Sequence, residues 1–185
     1  MPRTSPPTDA VGLPAWAVVT EKRRRHIERV ARQLVAWADA MEVSERERSR
    51  WLKAAWLHDA LKDAPAAVLR EYVDPAAGPP AIWHGPAAAR RAEQDGERDH
   101  GLLDAVRYHS IGYAGWDRVG RMLYLADFLE SGRRLHHPDR DAQAADVPHH
   151  PDAVLREVAR RRIAHGLKKG WPLLPETVAF WNALT

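Results

Sequence analysis

The stretch WLHDALK, Trp56 to Lys62, sets a histidine, an aspartate and a lysine at the end of an otherwise apolar segment. Adjacent His58 and Asp59 have three readings: a buried hydrogen-bonded pair, an exposed accident, or two metal ligands. The segment that carries them reads as a helix. Ser44 and Glu47 have the S-x-x-E spacing of a capping box, in which each side chain satisfies the other's free backbone amide. Trp51, Ala54, Ala55, Leu57 and Leu61 then recur at helical spacing up to a stop near Pro65. In such a helix His58 and Lys62 stand one turn apart on one face, with Asp59 about 100° round from His58.

The same periodicity extends outward. Ile27, Val30, Ala31, Leu34, Val35 and Ala38 give an amphipathic face to a helix spanning about Pro14 to Met41, with His26 near the edge of the stripe. A short helix near Ala66 to Tyr72 leads into DPAAGPPAIWHGP, a loop by its Pro and Gly content, with His84 at its end. Helices follow from about Pro86 to Gln94, Asp99 to His109, Trp116 to Glu130, Asp152 to Lys168 and Pro175 to Leu184. Asp127 lies on or beside the apolar stripe of Val119, Met122, Leu123 and Ala126. Ser131 to Pro151, rich in His, Asp, Arg and Pro, reads as a loop. With no strand alternation and no internal repeat, the expected architecture is an all-α bundle of about seven or eight helices.

Composition narrows the chemistry. A chain of 185 residues is long enough for one large domain with a real core. Cysteine is absent, so disulfides, thiolate nucleophiles and Cys-ligated zinc are excluded. Any metal must sit among the carboxylates and the ten histidines. The formal charge of +3 is not that of a polycation, and a stable nucleic-acid partner is not expected. The basic runs Lys22 to His26, Arg90–Arg91, Gly132 to Arg134 and Ala159 to Arg162 read one by one as solvated helix faces, although together they raise local positive potential. The opening MPRTSPPTDAVGLP lacks the apolar core of a signal peptide, and no apolar run approaches the roughly 20 residues that span a bilayer. These features lead to an expected cytoplasmic protein, with residues 1–14 as an N-terminal extension and 15–185 as a single domain.

Taken singly, His26, His84, His109 and Asp127 have bland readings as surface or hydrogen-bonded residues. Jointly, His26, His58, Asp59, His84, His109 and Asp127 fall at the core-facing side or end of five different predicted elements. Neutral imidazoles and ionised carboxylates are costly to bury together unless paired or coordinated. Four imidazoles and two carboxylates form a borderline donor set that suits iron, manganese or zinc better than calcium or magnesium. Asp59, with two oxygens, is the natural candidate to bridge two ions.

The order H, HD, H, H, D resembles the HD-domain metal-dependent phosphohydrolases. RRRHIERV around His26, WLHDALK, AIWHGPAAA around His84, DAVRYHSIG around His109, YLADFLESGR around Asp127 and the tail PETVAFWN narrow the resemblance to the YqeK family of bacterial symmetrical diadenosine tetraphosphate hydrolases. It covers roughly Lys22 to Asn182. The resemblance implies one metal at His26, His58, Asp59 and Asp127 and a second at Asp59, His84 and His109, with Asp59 bridging. Iron is the metal it suggests, and manganese satisfies the same ligands. It further implies cleavage of a dinucleoside polyphosphate, diadenosine tetraphosphate, at its centre, giving two ADP, by a hydroxide held between the metals. Arg23, Lys62, Arg107 and Arg133 are the basic positions it places on substrate phosphates, with Asp59 and Lys62 in catalytic roles. Trp83 and Tyr108 offer adenine-stacking surfaces, with core packing the favoured reading of each.

Two departures bear on substrate contacts. Ile27 stands where the family has a hydroxyl residue, and Ser131–Gly132 where it has a Pro-Asn pair. Alternatives are an HD-domain phosphohydrolase for another nucleotide or phosphoester, a mixed-valent di-iron oxygenase of the same fold, and a binding protein in which the metals are structural. His136, His137, His149 and His150 read as exposed loop residues. The oligomeric state is not legible in the sequence.

Overall fold

The computed structural model describes residues 12–132 and 138–185. These form nine α-helices and two 3-10 turns, with no strand among the described residues. The helices are α1 (Glu21–Ala40), α2 (Glu45–His58), α3 (Ala66–Leu69), α4 (His84–Gln94), α5 (His100–Tyr108), α6 (Arg118–Leu129), α7 (Pro138–Asp146), α8 (Pro151–Lys168) and α9 (Pro175–Leu184). The fold is thus all-α, as expected. No helix of the described residues is long and apolar enough to cross a membrane.

Local sequence sets where four of the helices begin. Thr20, Ser44, Asp99 and Asp117 are N-caps whose side chains accept from Arg23, Glu47, Leu102 and Val119 amides, satisfying donors that the first turn leaves open. The Ser44 half of the capping box forms, but Glu47 turns instead to the Trp51 indole and to Arg50. Arg50 also donates to Asp99 and Asp117, so one guanidinium joins α2 to the caps of α5 and α6.

α2 packs against α1, α4, α5 and α6. Its neighbour α6 is the most buried helix and also meets α7 and α8. The core between them is built from Val30, Leu34 and Trp37 on α1, Trp51, Ala54 and Ala55 on α2, Leu102, Leu103 and Val106 on α5, and Met122, Leu123 and Leu125 on α6. Trp116, Tyr124 and Phe180 form a second aromatic cluster, each pair about 5 Å apart and tilted or edge-on, which seats α9. Gly112 is required there: it has φ +88° and a Cβ would overlap the Phe180 ring.

Three expectations are corrected. α1 begins at Glu21 rather than near Pro14, because Thr20 caps it and Pro14 to Val19 runs outside the helix. Val18 instead donates to Ala60 O and accepts from Asp63 N, pairing with the turn that follows Asp59. α2 ends at His58, not near Pro65. Asp59 is its C-cap, with φ −111° and ψ 15°, and the chain continues in tight turns through Lys62. The third correction is α7, which lies inside the segment read as a loop. Ala144 and Val147 are buried, and the Trp37 indole donates to Ala144 O at 2.8 Å, so packing overrides a polar local composition.

α4 and α5 approach closely where His84 and His109 meet. A Cβ on Gly85 would lie 2.9 Å from the backbone oxygens of both Val106 and Arg107 and 3.3 Å from His109 Cε1. Backbone oxygens cannot rotate away. Gly85→Ala is therefore expected to lower unfolding free energy by about 1–3 kcal/mol in urea titrations, the range for overpacking a tight contact.

Candidate metal centre

The six candidate donors converge. His26 comes from α1, His58 and Asp59 from the end and cap of α2, His84 from the first residue of α4, His109 from the cap of α5, and Asp127 from α6. All six are buried, none more than 7% exposed. Asp59 is at the centre. Its Oδ2 lies 3.6 Å from both His26 Nε2 and His58 Nε2. Its Oδ1 lies 3.2 Å from His84 Nε2 and 3.4 Å from His109 Nε2. Asp127 Oδ1 stands 3.2 Å from His26 Nε2. Five of the six donors thus fall into two groups, His26–His58–Asp59 and Asp59–His84–His109, within which all atoms are within 4.8 Å of one another, and Asp127 adjoins the first group through His26.

Helix ends explain how the rings are aimed. The last carbonyls of a helix have no partner within it. His58 Nδ1 donates to Ala55 O at 2.7 Å and His109 Nδ1 donates to Val106 O at 2.8 Å, each one turn back. A carbonyl only accepts, so Nδ1 carries the proton and Nε2 presents a lone pair to the cluster. His26 is held by a carboxylate instead: its Nδ1 is 3.1 Å from Glu130 Oε1, and Glu130 in turn accepts from Arg29 Nε and the Gly132 amide.

These contacts leave a deficit that a cation fits. His26 Nε2 and His58 Nε2 are buried with no hydrogen-bond partner. An unpaired buried polar atom costs about 1–3 kcal/mol. Burial opposes a charge on His26, but the adjacent carboxylates of Asp127, Glu130 and Asp59 outweigh it and raise its pKa to about 9. Burial, with the neighbouring His109, lowers His58 to about 4, and burial, with His109 and Lys62, lowers His84 to about 4. Burial alone would raise Asp59, yet His58, His109 and His84 hold its carboxyl well below the usual range. His58 and His84, which resist protonation beside an ionised carboxylate, are donors suited to metal ions, whereas His26 would release a proton on joining them.

Two candidate basic residues lie at the cluster. Arg23 Nη1 donates to Asp59 Oδ2 at 2.7 Å. Lys62 Nζ is 3.3 Å from His84 Nε2, despite the early end of α2, because the turn after Asp59 folds it back. Arg107 is ion-paired to Asp104 on its own helix. Arg133 lies outside the described residues, as do His136 and His137, whereas His149 and His150 are exposed. Trp83 is core, its indole donating to Gly78 O, and Tyr108 stacks on Tyr113 at 4.4 Å.

Three residues escaped the sequence reading. Glu130 orients His26. The Ser110 hydroxyl lies 3.1 Å from His109 Nε2 and 3.3 Å from His84 Nε2. Arg162, in a run read as solvated, has a side chain only 19% exposed and reaches Asp127. Its signal was the helical spacing from Val154 and Val158, which puts it on the buried face of α8.

A family model described as HD domain matches residues 23–149, a span that contains all six donors. The chain belongs to the HD domain family. This HD-domain protein is similar to the symmetrical bis(5'-nucleosyl)-tetraphosphatase of Bacillus subtilis, 27% identical over 78% of this chain and 83% of the relative. It is similar also to the enzyme of the same name from Staphylococcus aureus, 26% identical over 88% and 86% of the two chains. Among solved structures, a predicted HD superfamily hydrolase involved in NAD metabolism from Clostridium acetobutylicum superposes with a TM-score of 0.77, covering 90% of each chain at 22% identity, which establishes the shared fold.

The pKa shifts set a pH dependence for metal-stripped protein. His26, raised to about 9 from 6.5, stabilises the fold fully below 6.5 and loses this as pH rises through 9. His58 and His84, lowered to about 4, refuse protons that the unfolded chain accepts below 6.5, so stability falls as pH drops from 6.5 towards 4. Thermal unfolding in chelator should show maximal stability around pH 6.5. A steady rise from pH 6 to pH 10, on either side of that maximum, would contradict the assignment.

Proposed function

We propose that this HD-domain protein is a metal-dependent hydrolase that cleaves diadenosine tetraphosphate symmetrically to two ADP. The observation that carries the reading is the carboxylate of Asp59, each of whose oxygens faces two imidazole Nε2 atoms. One ion would be held by His26, His58, Asp59 and Asp127 and a second by Asp59, His84 and His109, both iron or manganese by the chemistry of the donors. When bound, such a pair supplies Lewis-acid polarisation of a phosphoryl oxygen and activation of a water. The names of the curated relatives support the substrate. The same reading takes 15–185 as one domain, in line with the packing of α8 on α6 and of α9 on α8.

The chain's own residues hold and orient. His58 and His109 are locked by helix-end carbonyls and His26 by Glu130, so the donor rings need not reorganise when substrate arrives. Arg23 and Lys62 bring two cations to the rim of the cluster, where a tetraphosphate bridge would place several negative charges. Burial and the nearby Arg23 lower the Lys62 pKa, opposed by Asp59, and poorly hydrated cations bind phosphate strongly. Arg107, paired with Asp104 on α5, would have to leave that carboxylate to join them.

The test is product analysis of protein loaded with iron or manganese and incubated with diadenosine tetraphosphate, beside an Asp59→Ala control. ADP as the sole product, absent in the control, is expected. AMP with ATP would overturn symmetrical cleavage, and no turnover despite bound metal would overturn the substrate. Lys62→Ala is expected to reduce kcat/KM by about 10–100-fold, the worth of a charge-assisted hydrogen bond of ~1.5–3 kcal/mol.

A further inference from the structure

Arg162 lies on α8, beyond the residues 23–149 matched by the family model, yet its guanidinium enters the centre. Nη1 donates to Asp127 Oδ2 at 3.3 Å, and Nη2 donates to Ser110 O at 3.1 Å. The guanidinium sits over the Tyr124 ring, 4.3 Å from its centroid, with Phe128 one turn along α6 at 6.0 Å. Ring stacking and two anchored nitrogens fix the planar fork in one orientation.

The two oxygens of Asp127 are thereby divided: Oδ2 faces Arg162, and Oδ1 faces His26 Nε2 at 3.2 Å. The second anchor reaches the opposite end of the centre. Ser110 follows His109, and its hydroxyl touches the Nε2 atoms of both His109 and His84. One side chain from outside the matched region thus spans from the carboxylate at one end to the turn at the other.

We infer that Arg162 is a positioning residue: it clamps Asp127 so that Oδ1 is presented to the metal ion beside His26. The inference rests on the reading of the cluster given under Proposed function. Two simpler roles make different predictions. A plain ion pair docking α8 on α6 would affect stability alone. A bare positive charge next to the site would repel a metal ion, so its removal would tighten binding.

The experiment is titration of the chelator-treated full chain with Co²⁺ alone, read by visible absorption and accompanied by thermal melting. Arg162→Met fills the space over Tyr124 without donors, and Arg162→Lys keeps the charge without the fork. Both are expected to weaken one Co²⁺ equivalent by about 10–100-fold and to reshape its absorption band, leaving the other equivalent unchanged. If the Met variant does not fold, the Lys variant carries the test. Unchanged affinity and spectrum with a lower melting temperature would overturn the inference, as would tighter binding in Arg162→Met with wild-type behaviour in Arg162→Lys. Wild-type protein that takes up no Co²⁺ would overturn the reading of the cluster and this inference together.

Discussion

The carboxylate of Asp59 is the constraint on which the rest of the structure depends. A nearly fully buried, ionised group has to be surrounded by compensating groups, and here Arg23 and four imidazoles are brought to it by α1, α2, α4 and α5. The bundle is arranged to make that convergence possible. α2 stops at His58, which turns Asp59 out of the helical path, and the following turn is held by Val18 and by Thr20, whose amide and hydroxyl both donate to Asp63.

Helix ends serve two purposes here. They leave carbonyls that would otherwise need water, and His58 and His109 use those carbonyls to fix which nitrogen faces inward. The donor set is thus built from the same unsatisfied groups that make buried helix ends costly. Mid-helix donors lack this device. His26 depends on Glu130 and Arg29, and Asp127 on a partner delivered from α8. The outer contacts therefore differ from one donor to the next according to where each sits on its helix.

Close packing is what sets the separations. Ala87, Ala88 and Ala89 on α4 are fully buried, and Gly85 lets the first turn of that helix rest on the carbonyls of α5. A larger residue at Gly85 would push His84 away from His109, whose Nε2 atoms stand 3.1 Å apart. Small residues beside the donors are as much a part of the centre as the donors are.

Much of this was legible in the sequence because it is local. Helical periodicity, the cap Ser44, and the absence of cysteine settle an all-α chain in which any metal must be held by His and carboxylate. The ordered motifs around His26, His58, Asp59, His84, His109 and Asp127 carry the family resemblance. What the sequence could not settle was long-range. α7 forms in a polar segment because Trp37, roughly a hundred positions away, takes a hydrogen bond acceptor from it. Asp59 leaves the helix because Val18 claims the backbone beyond it. Arg162 becomes a half-buried partner of Asp127 only once Tyr124 and Phe128 form its seat. Periodicity reports which face of a helix is apolar, but the partner that a polar group finds on that face depends on distances between helices, and only the packed tertiary structure determines those.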